Sequence, residues 1–158
     1  MIVLDLETTG FKPRRDRIIE VAAIKLRSSK PPQTFHCLCN PGVALPKRIK
    51  ALTSLNDGDF IDTPFFSEIA KELFQFMKGH RIIGYNVAFD KRFLVANSAI
   101  FTCLVYYDYL KYLRKLDYEF QNYRLETVAG FFGIKNLKSH RAINDAQTVV
   151  KLIKRLGC

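Results

Sequence analysis

The chain opens on Ile2-Val3-Leu4-Asp5-Leu6-Glu7, where leucines and acids alternate, and a second apolar run follows at residues 18–26. Aliphatic and β-branched residues repeating at a spacing of two predict strands, and residues 10–16 between them, with Pro13 inside, predict the turn of a hairpin. A Ser-Lys-Pro-Pro break at residues 29–32 leads to a third predicted strand at residues 34–38. The start of the chain therefore reads as consecutive strands, paired at least partly antiparallel.

Residues 40–63, rich in Pro, Lys and Asp, read as a loop. The period then changes: Ile69, Leu73, Phe76 and Met77 fall on one stripe, and with Pro64 at a first helical position they predict a helix of about fourteen residues. Residues 82–85 predict a short buried strand, Asn86 an N-cap, and residues 87–97 a helix with Phe89, Phe93 and Leu94 facing inward. Beyond it come a strand at 104–107, helices at 109–116 and at 125–132 ended by Gly133, and a long helix at 142–156 stopped by Gly157. Strand, helix, strand in succession implies parallel crossovers. The expected fold is α/β, a mixed five-stranded sheet with helices on both faces, in one domain over residues 1–158.

Composition narrows the partners. A chain of 158 residues with 48% hydrophobic content is long enough to bury roughly 70% of its unfolded surface without a disulfide scaffold. The net charge of +10, from 25 Lys and Arg against 15 Asp and Glu, points to a polyanionic partner. Cations recur at Arg14, Arg15 and Arg17, at Lys47, Arg48 and Lys50, and at Lys151, Lys154 and Arg155. Cys37 and Cys39 form a C-x-C pair without a second Cys or His pair, poor spacing for zinc, so reduced cysteines are expected. Met1 leads straight into the first strand without a basic leader, and no apolar run reaches the ~18 residues of a membrane span. A soluble cytoplasmic protein with no membrane association and no small-molecule cofactor is expected.

Period-two alternation puts Asp5 and Glu7 on one face of the first strand and Leu4 and Leu6 on the other. Two ionised carboxylates side by side at the end of a buried strand persist only if protonated, paired with cations or bound to metal. The Thr8-Thr9-Gly10 that follows suits a tight turn whose backbone comes close to a sugar or phosphate. Asp90 falls in the first turns of a helix, after Asn86 and Phe89, where an acid also complements the helix dipole. His140 and Asp145 flank the entrance to the last helix. Each of these residues alone reads equally well as a strand end, a dipole partner or a solvated side chain.

Their joint order reads differently: D-x-E at Asp5 and Glu7, N-x-x-x-D at Asn86 and Asp90, and H-x-x-x-x-D at His140 and Asp145. In these motifs the chain resembles the DEDDh exonucleases, and the resemblance runs nearly end to end. It includes Leu52-Thr53 before an acidic loop, Thr63-Pro64-Phe65, Asp108, and Leu125-Glu126-Thr127-Val128-Ala129 before Phe132-Gly133-Ile134. The resemblance implies a ribonuclease-H-like fold and 3′-to-5′ hydrolysis of a nucleic acid to nucleoside 5′-monophosphates. It implies that Asp5, Glu7, Asp90 and Asp145 hold two divalent ions, Mg²⁺ or Mn²⁺, and that His140 is the general base. It also implies that Thr8, Thr9, Gly10, Leu52, Asn86 and Phe89 meet the substrate, a single-stranded 3′ end, with DNA ahead of RNA.

The alternatives are an RNA-trimming enzyme of the same family and a catalytically silent module that binds nucleic acid or a polymerase partner. Tyr85 stands where many relatives carry His. The chain ends shortly after Asp145, which argues against a tail for attachment to a polymerase.

Overall fold

In a computed structural model, residues 1–135 and 139–158 of the chain are described. Strands β1 (Ile2–Thr8), β2 (Ile18–Lys25) and β3 (Gln33–Leu38) form an antiparallel meander. β4 (Arg81–Gly84) and β5 (Val105–Asp108) add to the other side of β1 in parallel, giving the order β3-β2-β1-β4-β5. The expected mixed five-stranded sheet is therefore present, with β1 at its centre. α1 (Lys47–Thr53) and α2 (Phe66–Met77) follow β3, α3 (Ala88–Asn97) follows β4, and α4 (Tyr109–Leu113), α5 (Leu125–Phe131) and α6 (Ala142–Leu156) follow β5.

Side-chain alternation along β1 assigns the two faces. Ile2, Leu4 and Leu6 point to a cluster closed by Leu73 and Met77 of α2 and Phe93 and Leu94 of α3. Val3, with Ala22, Ile24 and Ile83, points to the opposite cluster, closed by Tyr109, Val128, Ala146, Val149 and Leu152. Asp5 and Glu7 continue the Val3 side, so strand periodicity delivers both acids to the face that α6 covers.

Several expected boundaries move. α2 begins two residues after Pro64, because the Pro64 carbonyl is spent accepting the Asn40 amide and the Glu68 carboxylate accepts the Phe65 amide at 2.6 Å, closing the first turn there. Residues 40–63 are not all loop: α1 and a 3-10 turn (Asp57–Phe60) lie within them. Ile49 and Phe60 anchor these pieces in a small third cluster with Leu45, Leu55 and Ile19. This segment has too few apolar residues to show a helical period, and tertiary burial decides it. Asn86 is not the N-cap of α3: it holds a left-handed φ of 63° in the β4–α3 turn, and the helix starts at Ala88 after Val87. The helix at 109 stops at Leu113. Among the described residues, no helix is long and apolar enough to cross a membrane.

Candidate active site

β1 outruns its parallel neighbour. β4 pairs with it only at Ile2 and Val3 and ends at Gly84, so the backbone edge of β1 beyond Leu4 needs another partner. Asp90 supplies one: its Oδ1 accepts the Leu6 amide at 3.1 Å. The tight turn from Gly84 into α3 makes this possible, because a Cβ at residue 84 would lie 3.1 Å from the Leu4 carbonyl oxygen and 2.8 Å from Val87. Asp90, only 3% exposed, is thereby carried to the middle of β1, between Asp5 and Glu7.

The last helix brings the other pair. His140 takes a left-handed φ of 60°, and its amide donates to Asp145 Oδ2 at 3.1 Å, so the two residues of the third motif are bonded to each other. Single ligand atoms of Glu7, His140 and Asp145 all lie within 4.8 Å of one another. The His140 side chain is 45% exposed, with Nε2 4.0 Å from Glu126.

Asp5, Glu7 and Asp90 are buried acids crowded against other carboxylates. Burial, then Asp90, Asp145, Glu7 and Glu20, push the Asp5 carboxyl well above the usual carboxylate range. Glu7 rises from 4.5 to about 8, through burial first and then Asp145, Glu20 and Asp90, with Arg141 opposing. Burial also raises Asp90, although hydrogen bonds from its own amide and that of Leu6 pull the other way. Carboxylates this crowded give up their protons readily only to a cation that fits among them. Glu7, His140 and Asp145 are spaced so that they could hold a metal ion, and an oxygen-rich set of this kind suits a hard divalent ion.

Sequence reasoning missed Glu20. It is the register partner of Glu7 on β2 and is fully buried. Its Oε2 accepts Arg141 Nε at 2.9 Å and the Ala142 amide at 3.1 Å, while Oε1 accepts Arg141 Nη2 at 3.1 Å and lies 2.7 Å from His36 Nε2. Burial alone would raise it, but the bonds from His36, Arg141 and Ala142 bring it below its ordinary value. The available signal was a charge inside the apolar run Ile18-Ile19-Glu20-Val21-Ala22-Ala23-Ile24.

The residues expected to meet substrate are placed variously. Thr8 and Thr9 are buried at the end of β1, where the register slips between Glu7 and Thr8. The Thr8 hydroxyl donates to the Gly10 carbonyl, the Thr9 amide to the Arg17 carbonyl, and the Thr9 hydroxyl accepts the Arg17 amide. Gly10 lies against the Asp16 carboxylate, whose Oδ2 would be 2.4 Å from a Cβ there. Phe89 packs on Phe93 and edge-on to Phe11, which is 64% exposed. Asn86 is exposed, and its amide donates to Asp108 Oδ1. Leu52 is an exposed residue of α1. Tyr85 is tied elsewhere, its hydroxyl donating to the Tyr123 carbonyl at 2.6 Å.

Acids from β1, α3 and α6 meeting at one end of a mixed sheet define the class, the ribonuclease-H-like exonucleases of DEDDh type. Within it, residues 2–153 match the RNase T family of exonucleases, and the chain belongs to that family. It is similar to the PolC-type DNA polymerase III of Caldanaerobacter subterraneus subsp. tengcongensis, 31% identical over a 158-residue alignment that covers 98% of this chain and 11% of the polymerase. It is 30% identical over 157 residues to the 3′-5′ exonuclease DinG of Staphylococcus aureus, covering 96% of this chain and 17% of DinG. The chain thus spans less than a fifth of either relative.

Two solved structures share the fold. Zinc-bound E. coli exonuclease I in complex with single-stranded DNA superposes with a TM-score of 0.77 at 20% identity, over 98% of this chain and 40% of that one. Exonuclease X in complex with 5′-overhanging duplex DNA gives 0.75 at 17% identity, over 99% and 93%.

Proposed function

We propose that the chain is a metal-dependent 3′-to-5′ exonuclease that removes nucleoside 5′-monophosphates from single-stranded ends, with DNA preferred to RNA. The observation that carries this reading is that ligand atoms of Glu7, His140 and Asp145 lie within 4.8 Å of one another, with Asp90 bonded to the β1 backbone at Leu6. Asp5, Glu7, Asp90 and Asp145 would hold two divalent ions, Mg²⁺ or Mn²⁺. When bound, the ions stabilise negative charge on the attacking and leaving oxygens at phosphorus.

The remaining work falls to the protein. His140 accepts a proton from the attacking water as its oxygen bonds to phosphorus. The bond from phosphorus to the 3′ oxygen of the preceding nucleotide breaks, and that oxygen leaves with a proton from solvent. Phe89, Asn86 and the backbone at Thr8 to Gly10 border the place of the terminal nucleotide, and Leu52 stands further out on α1.

Beside them lies a cleft of about 800 Å³ lined by Phe11, Lys12, Arg14, Lys91 and Arg92. Cations beside aromatic rings suit a strand gripped by its phosphates and stacked on its bases without being read. The PolC and DinG likeness supports a replication or repair setting and leaves a polymerase as a candidate partner.

The test is degradation of matched DNA and RNA single strands, labelled at either end, with Mg²⁺, Mn²⁺ or EDTA. Metal-dependent release of mononucleotides from the 3′ end, faster on DNA, is expected. No release from either strand would overturn the enzymatic reading and favour a silent binding module, and faster release from RNA would reverse the substrate preference.

A further inference from the structure

We infer that Glu20 is a positioning residue, which through Arg141 and the Ala142 amide holds His140 and Asp145 in their working geometry; this rests on the function proposed above. A carboxylate with no solvent exposure is costly unless its lone pairs are matched by donors. Glu20 is matched fully, and its donors are concentrated in one place. Three of the four contacts come from Arg141 and Ala142, the two residues that directly follow His140 and lead into the helix bearing Asp145. The fourth comes from His36 on the neighbouring strand, which fixes the carboxylate from its other side.

The grip is needed because of what it adjoins. His140 sits at a φ of 60°, a conformation unfavourable for a side chain other than glycine, and such a residue persists only where its surroundings over-determine it. Here the surroundings are the His140 amide bond to Asp145 on one side and the Glu20–Arg141 fork on the other. α6 has no side-chain cap of its own at Arg141. The buried glutamate of β2, on the sheet face that α6 covers, takes that part by accepting the Ala142 amide. Arg141 serves a second purpose: paired with Glu20, it neutralises a carboxylate that would otherwise stand as a further anion opposite Glu7.

Glu20→Gln, Arg141→Gln and the double variant of the full chain test this. The measurements are kcat and KM on a labelled DNA single strand with Mg²⁺, and amide hydrogen exchange without metal. Each single variant should lower kcat about 10–100-fold, the range for partners one step removed from a metal site, with KM within about threefold. The double variant should be no worse than the poorer single one, and Arg141→Lys should not rescue, since an ammonium lacks the two-pronged fork. The amides of Ala142 and Asp145 should exchange faster, while those pairing β1 with β2 do not.

A wild-type kcat in either folded variant, or additive losses, would overturn the inference. Should Glu20→Gln fail to fold, Arg141→Gln decides, because its side chain is partly exposed at 24%. An inactive wild-type chain would sink the functional reading instead. In that case unchanged exchange at Ala142 would still overturn the positioning contact, and faster exchange would support it.

Discussion

At the scale of single residues, the proposed function divides the site into acids that would hold metal and one histidine that would accept a proton. Asp145→Asn should reduce kcat by more than the roughly 10–100-fold typical of changing an outer partner, and should weaken Mn²⁺ binding measured by calorimetry. His140→Gln should cost about 10²–10⁴-fold in kcat, the range for general-base catalysis, with Mn²⁺ affinity nearly unchanged. The same crowding of acids sets a pH dependence for the metal-free chain. Glu7 is raised from 4.5 to about 8 and Asp5 and Asp90 are raised with it, so between these values the folded state keeps protons that the unfolded state has lost. The contribution of these three acids to stability is then full below about pH 4.5 and falls as pH rises through 8. In EDTA the Tm should decline across that window, by ~2–4 °C for each kcal/mol lost at this chain length. Added Mg²⁺ should restore Tm most at the alkaline end, and a Tm in EDTA that rises toward pH 8 would contradict the assignment.

Among elements, the decisive relation is between strand lengths. β4 ends while β1 continues, so the first turns of α3 replace a strand as the partner of β1, and an acid there becomes both a backbone acceptor and a candidate ligand. Gly84 is the hinge of that arrangement. Gly84→Ala would press a methyl group against the Leu4 carbonyl and the Val87 side chain, which should destabilise the fold by about 1–3 kcal/mol, the usual cost of overpacking. It should also lower kcat, because α3 can yield only by withdrawing Asp90 from Leu6. Chemical denaturation and a turnover assay check the two effects, and a stable, fully active variant would remove Gly84 from this role.

On the scale of the whole molecule, the net charge of +10 surrounds a site that is itself acidic. A polyanion is then attracted to the surface and repelled from the centre until cations fill it. With divalent metal saturating, kcat/KM on a single strand should fall steadily as KCl rises from 50 to 300 mM, on the order of tenfold or more if several phosphates are gripped. Lys12, Arg14, Lys91 and Arg92 line the cleft beside Phe11, and replacing two of them by Gln should flatten that salt slope while leaving kcat intact. A slope unchanged by those replacements would move the strand's path elsewhere.

Periodicity was enough for the order of the five strands and of the helices after residue 63 and for the shared face of Asp5 and Glu7, and the family resemblance of the motifs linked both to Asp90, His140 and Asp145. These are local or repetitive properties, written into neighbouring residues. Segment 40–63 was not legible, because α1 and its 3-10 turn are held by Ile49 and Phe60 against Ile19 rather than by any period of their own. Nor was Asn86, whose place in a left-handed turn follows from how abruptly the chain must leave β4. Glu20 was hidden for a related reason: a lone acid in an apolar strand gives no sign of its partners until folding brings Arg141 and Ala142 to it. Which acids exist, and in what order, was decided by the chain. Which of them face one another across strands and helices was decided by the packing of α3 and α6 against β1 and β2.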